Sequence, residues 1–182
     1  MKKVYAFFAT GYEEVEALTV VDLLRRAGVE VNMVSVTGEA TVVGSHNIGI
    51  NMDSKFDDNN YDDGDLFFLP GGMPGTTNLL ACEKLCQLLV KKNNEGKRLA
   101  AVCAAPSVFG QLGLLKGKKA TSYPGFEEKL IGATYVTDSV VTDGVITTSR
   151  GMGTSIDLGL ELISLLCDEE TAKSIGKGII YL

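Results

Sequence analysis

Cys103 ends the apolar run Arg98–Cys103 and is followed by Ala104, Ala105 and Pro106. Proline suits the first position of a helix, where its missing N–H is not needed. The stretch AAVCAAPSVFG therefore predicts a strand that turns sharply into a helix, with the cysteine at the turn. Such a turn lifts its central side chain toward whatever lies beyond the sheet edge, as in a nucleophile elbow. The positive end of the helix favours a thiolate, so the thiol is expected below its ordinary pKa of about 8.5. The same spacing also fits a small buried cysteine that only ends a strand.

Three other stretches carry groups suited to work beside a thiol. GYEEVEAL holds Glu13, Glu14 and Glu16. Glu13 and Glu14 read as solvated charges at a helix start. Glu16 stands among Val15, Ala17 and Leu18, so it either faces inward or lies on the helix surface. Facing inward and neutral, it would hold a proton for the sulfur; ionised, it would repel the thiolate. Gly71 and Gly72, after Leu69-Pro70, either offer bare N–H groups to a developing oxyanion or form a plain turn. SRGMGTS (149–155) lacks the lysine of a P-loop and the full dinucleotide fingerprint, so Arg150 and Gly151 are read as pocket wall.

The remaining cysteines promise less. Cys82 and Cys86 fall on the apolar stripe of a helix, and Cys167 ends another. There is no CxxC pair and a single histidine, His46, so no zinc site is expected. His46 lies in a hairpin and reads as a surface residue. A disulfide framework is not expected in a chain of this size, and all four cysteines are taken as thiols.

These groups need a scaffold. Residues 3–9, 29–36, 65–72 and 98–103 read as strands. Residues 14–27, about 78–94, 106–114 and 154–167 read as helices. On the helix over 14–27, Val15, Leu18, Val21 or Asp22, and Arg25 mark successive turns. On the last helix, Ile156, Leu160, Ile163 and Leu166 or Cys167 are expected to face the core. A short hairpin is predicted around VVGSHNIGI with an acidic loop after it, a further short strand within 118–125, and a hairpin over 139–151 with Asp-Gly at its turn. Continuous apolar strands alternating with helices indicate a mostly parallel sheet covered on both faces, with ligands at the carboxyl ends of the strands.

With 182 residues and 45% hydrophobic content, the chain fits one domain, residues 1–182. No run reaches the roughly 18 apolar residues of a membrane span. The opening MKKVYAFFA is too short, and too soon followed by acids, for a signal peptide. A cytoplasmic location is expected. The net charge of −6, without a basic stripe, argues against nucleic acid and anionic membrane as partners.

Taken together, GYEEVEALTVVDLLRRAG, FFLPGGMPGTTNL, AAVCAAPSVFG and TTSRGMGTS resemble the DJ-1/ThiJ/PfpI superfamily, nearest its DJ-1-like branch, in order along nearly the whole chain. The resemblance implies a flavodoxin-like three-layer α/β/α sandwich and a homodimer. It implies that Cys103 is the reactive elbow cysteine and Glu16 the pocket acid, with Gly71, Gly72 and Ala104 as backbone donors. It implies that Arg26 and His46 rim the pocket at the dimer contact. Two departures stand out. His46 replaces an arginine of that branch, and Tyr123-Pro124 stands where relatives often carry histidine before proline. Without a histidine partner, a Cys-His protease or an amidotransferase is disfavoured.

The resemblance implies a stress-protective enzyme that needs no cofactor and no metal. It would act on methylglyoxal, glyoxal or early glycation adducts. The alternatives are a redox sensor or holdase chaperone working through oxidation of Cys103, and a binding module for a small anion or carbonyl compound.

Overall fold

The computed structural model describes residues 1–182. In chain order its elements are β1 (Lys3–Phe8), α1 (Glu14–Arg26), β2 (Glu30–Ser35), β3 (Thr41–Val43), β4 (Gly49–Asn51), β5 (Ser54–Lys55), β6 (Leu66–Leu69), α2 (Gly75–Ala81), α3 (Glu83–Asn94), β7 (Arg98–Val102), α4 (Pro106–Gln111), β8 (Lys119–Ala120), β9 (Thr134–Tyr135), β10 (Val140–Asp143), β11 (Ile146–Ser149), α5 (Ser155–Leu166) and α6 (Glu169–Gly178). Seven strands form the main sheet in the order β10-β11-β7-β6-β1-β2-β5. All neighbours are parallel except β10 and β11, which pair antiparallel as the Asp-Gly hairpin.

The strands are apolar on both faces because both faces are covered. Val4, Ala6 and Phe8 of β1 point into one core with Val20, Leu24, Leu158 and Leu162 of α1 and α5. Tyr5, Phe7 and Ala9 point into the other with Leu79, Leu85, Leu89 and Phe109 of α2, α3 and α4. This is a flavodoxin-like three-layer α/β/α sandwich. The chain leaves β1 toward β2 on one side, while β6 and β7 lie on the other. The carboxyl ends of β1, β6, β7 and β11 therefore flank a switch point of the kind where ligands bind.

Several expectations need correction. The buried face of α1 is Ala17, Val20, Val21, Leu23 and Leu24, and Val15 is 49% exposed. Counting turns from Val15 picks the wrong stripe, because the buried residues at the start of this helix are the acids Glu14 and Glu16. On α5 the fully buried side chains are Leu158, Leu162, Ile163 and Leu166, while Ile156 and Leu160 are partly buried and pack against the edge of that core. There α5 turns Gly159 toward Leu23, and a Cβ on Gly159 would overlap that leucine. The helix expected over 78–94 is two helices. Cys82 has an extended backbone between them, and the Cys86 thiol donates to the Leu80 carbonyl at 3.3 Å beside the break. The sequence reading holds no element after Cys167, where α6 stands with Asp168 as its N-cap, accepting from the Thr171 amide at 2.7 Å.

Candidate active site

Cys103 is the first residue past β7 and has φ +64°. A residue with a Cβ is strained in that region by about 1–2 kcal/mol, and such strain persists where surrounding structure enforces it. Three bonds do so here. The Cys103 amide donates to the Ser149 carbonyl at 3.0 Å, the Ala105 amide to Val102 at 3.0 Å, and the Tyr123 amide to the Cys103 carbonyl at 2.8 Å. The elbow is thus pinned to the end of β11 and to the Tyr123 loop. Pro106 opens α4 behind it.

Glu16 reaches the same point from the first turn of α1. Glu13 caps that helix, its Oε2 accepting from the Glu16 amide at 2.8 Å. The Glu16 side chain is turned inward, and the residue is 2% exposed. A Cβ placed on Gly71 would overlap both Glu16 Oε2 and the Cβ of Cys103. The two side chains therefore meet across one bare glycine. Gly151 closes the other side, its ideal Cβ lying 3.5 Å from the Tyr123 ring and 3.7 Å from Glu16 Oε1.

The electrostatics follow from burial. Desolvation, helped by the charge of Glu13, pushes the Glu16 carboxyl up to about 7, while Cys103 and the Gly71 and Met152 amides pull the other way. The Cys103 thiol is also pushed up, to about 12, by burial first and the Glu16 carboxylate second, against the Gly72 and Ala104 amides. The expectation of a lowered thiol is overturned, because desolvation outweighs the helix end. Burial outweighs the lowering of Glu16 by the thiol, and Glu16 in turn raises the thiol, so the pair retains a proton at neutral pH. Thiolate with carboxylic acid is reached by moving that proton across the contact. Glu16 Oε2 is buried without a full hydrogen bond, so an acceptor position stays open beside the sulfur.

The backbone donors divide. Gly72 and Ala104 serve the sulfur, whereas Gly71 serves Glu16. Tyr123 is half exposed at the rim, and Pro124 is exposed. Arg150 holds Nη1 3.5 Å from the Thr137 carbonyl. Arg26 and His46 are not brought together within the chain. Arg26 pairs with Asp22 at 2.6 Å near the last turn of α1, and His46 sits at the first, about 20 Å away along the helix.

Glu14 is the residue that sequence reasoning misplaced. It is 3% exposed rather than solvated. Its carboxylate accepts from the His46 amide at 2.7 Å and contacts His46 Nδ1 at 3.0 Å. Burial alone would raise its pKa, yet the bonds from the His46 side chain and backbone amides hold it below the usual carboxylate range. The hairpin of β3 and β4 supplies these partners from some thirty residues away, which no local pattern announces. The Met152 amide beside Glu16 was likewise unforeseen.

Five cavities of about 180 to 610 Å³ are lined by residues other than Cys103, Glu16 and Tyr123.

A strained elbow cysteine with a buried carboxyl at the switch point of a parallel sheet defines a thiol-centred α/β protein. Residues 2–165 match the DJ-1/PfpI family, and the chain belongs to it. It is 40% identical to DJ-1 homolog B of Arabidopsis thaliana over 98% of its length, spanning 41% of that longer plant protein. It is 31% identical to a protein named a deglycase from Pyrococcus abyssi, covering 90% of this chain and 99% of the other. Its structure superposes on oxidized Toxoplasma gondii DJ-1 with TM-score 0.96 at 34% identity, over 100% of this chain and 99% of that one. No helix is long and apolar enough to cross a membrane.

Proposed function

We propose that the protein converts small reactive carbonyls, or their adducts on amines, to hydroxy acids through Cys103 and Glu16. The observation that carries this reading is the meeting of a strained thiol and a carboxyl raised to about 7 across Gly71. A carboxyl tuned near neutrality is suited to give and take protons. The Pyrococcus relative bears the name deglycase.

The steps balance within methylglyoxal and one water. Glu16 takes the thiol proton as sulfur attacks the aldehyde carbon, and a C–S bond forms. The oxyanion is met by the Gly72 and Ala104 amides and receives the proton back as a hemithioacetal. The Glu16 carboxylate then removes the hydrogen on that carbon and returns it at the neighbouring one. The former aldehyde carbon is thereby oxidised to a thioester and the ketone reduced to an alcohol. Water cleaves the C–S bond, giving lactate and the free thiol. An adduct on an amine follows the same course, with the amine as leaving group when sulfur displaces nitrogen.

The test is lactate formation from methylglyoxal, with metals chelated, by wild type, Cys103→Ser and Glu16→Gln. Loss in both variants is expected. Turnover that survives Cys103→Ser contradicts the covalent step.

A second reading has support of its own. The Gly72 and Ala104 amides facing the sulfur, and the oxidized Toxoplasma relative, suit a sensor in which two peroxide molecules each give one oxygen to sulfur and leave as water. By family resemblance we also propose a homodimer and a cytoplasmic location.

A further inference from the structure

A cavity of about 370 Å³ lies between α2, α4 and the turn Glu127–Lys129. Met73, which follows Gly72, forms one wall. Phe126, whose amide donates to the Tyr123 carbonyl at 3.2 Å, forms another. The two loops that frame the thiol therefore also frame this cavity. Thr76 lines it, is 4% exposed, and has a hydroxyl without a protein partner. An unpaired buried hydroxyl costs about 1–3 kcal/mol, which a polar ligand would recover. Ser107 lines it too, and its hydroxyl, donating to Ala104 at 2.6 Å, keeps acceptor capacity. Glu128 and Lys129 stand exposed at its edge and neither joins an ion pair. Lys129 Nζ lies 4.8 Å above the Phe126 ring.

We infer that this cavity is a second subsite, which takes the amino-acid part of a carbonyl adduct. One unpaired carboxylate and one unpaired ammonium beside a polar, partly aromatic hollow complement both charges of a free amino acid. Lys129 meets its carboxylate, Glu128 its ammonium, and the Thr76 hydroxyl a polar group inside. The side-chain nitrogen, carrying the carbonyl-derived carbon, then points past Met73 toward Cys103. The inference rests on the proposed reaction for its purpose and on the cavity alone for its binding. A free carbonyl such as methylglyoxal has no need of the subsite, so the two substrates should respond differently to changes in it.

The experiment has two arms. In the first, unmodified L-lysine is titrated into reduced wild type, Lys129→Met and Thr76→Val, and backbone amides are followed by NMR, which also reports that each variant is folded. Shifts are expected at Thr76, Ser107, Glu128 and Lys129, with affinity falling about tenfold in each variant, as for loss of one charged or buried polar contact. Absence of shifts at these amides, or affinity unchanged in both variants, overturns the subsite. In the second arm, turnover of methylglyoxal is compared with that of its preformed adduct on L-lysine. Lys129→Met should raise KM for the adduct about tenfold and leave methylglyoxal turnover at the wild-type rate. Equal effects on both substrates overturn the inference. If wild type converts neither substrate, the proposed reaction fails, and the titration still decides the subsite.

Discussion

Glu16 and Cys103 meet across the bare backbone of Gly71, with no room between them for a methyl group. The residue that separates acid and thiol must therefore be glycine, although its φ is ordinary. Gly71→Ala is expected to destabilise the fold by about 1–3 kcal/mol through overpacking and to abolish carbonyl turnover by parting the pair. Denaturant midpoints and lactate assays check this. A stable, active Gly71→Ala protein would show that acid and thiol need not touch.

Two carboxylates in the first turn of α1 should titrate in opposite senses. Glu16 keeps its proton in the folded state up to about pH 7, while the unfolded chain loses it near 4.5. The folded state thus binds more protons in that window, and wild-type stability falls as pH rises through it. Glu16→Gln carries no such penalty. It should match wild type below about pH 4.5 and exceed it above about pH 7, by up to about 3 kcal/mol. Urea unfolding at both ends of the window measures the difference, and a flat difference would deny the raised carboxyl.

Glu14 behaves the other way. Its pKa is lowered in the folded state, so its contribution is present above the ordinary carboxylate range and is lost as pH falls through the lowered value. Glu14→Gln should cost about 1–3 kcal/mol at neutral pH, and the cost should shrink on acidification. The same unfolding series reads this out.

The strain at Cys103 can be weighed directly. At an ordinary position glycine is less stable than alanine by about 0.5–1 kcal/mol. At φ +64° the order should vanish or reverse, so Cys103→Gly should equal or exceed Cys103→Ala in thermal stability. A clear deficit for glycine would mean the elbow is relaxed.

The proposed homodimer has a physical counterpart. Val15 and Ile48 are exposed apolar residues on one surface, since the Ile48 amide reaches Glu14 Oε1 at 3.4 Å. Val15→Glu should shift sedimentation toward monomer, whereas a change at Met152, exposed near the site, should not.

Much of this was legible in the chain. Alternation in KVYAFF and LFFL is masked because both faces are buried, yet the apolar runs and the glycines after them mark a parallel sheet. Pro106 after Cys103-Ala104-Ala105 marks the elbow. What stayed hidden depends on distant segments. The rotation of α1 is set by Glu14 meeting a hairpin near His46 and by Glu16 meeting Cys103, so an apolar count from Val15 cannot find it. The thiol's raised pKa reflects burial, which the helix-end argument does not contain. The break at Cys82 replaces one periodic stripe by two, and α6 begins at an N-cap that follows a helix end directly.

The central claim is that reduced Cys103, with Glu16, turns over carbonyl substrate. The most direct measurement compares lactate formation from methylglyoxal by wild type shown by mass spectrometry to be fully reduced with the same protein oxidised to the Cys103 sulfinate. Turnover by the reduced form and none by the oxidised form is the predicted result. Turnover that persists in the sulfinate, or is absent from the reduced protein, would contradict it.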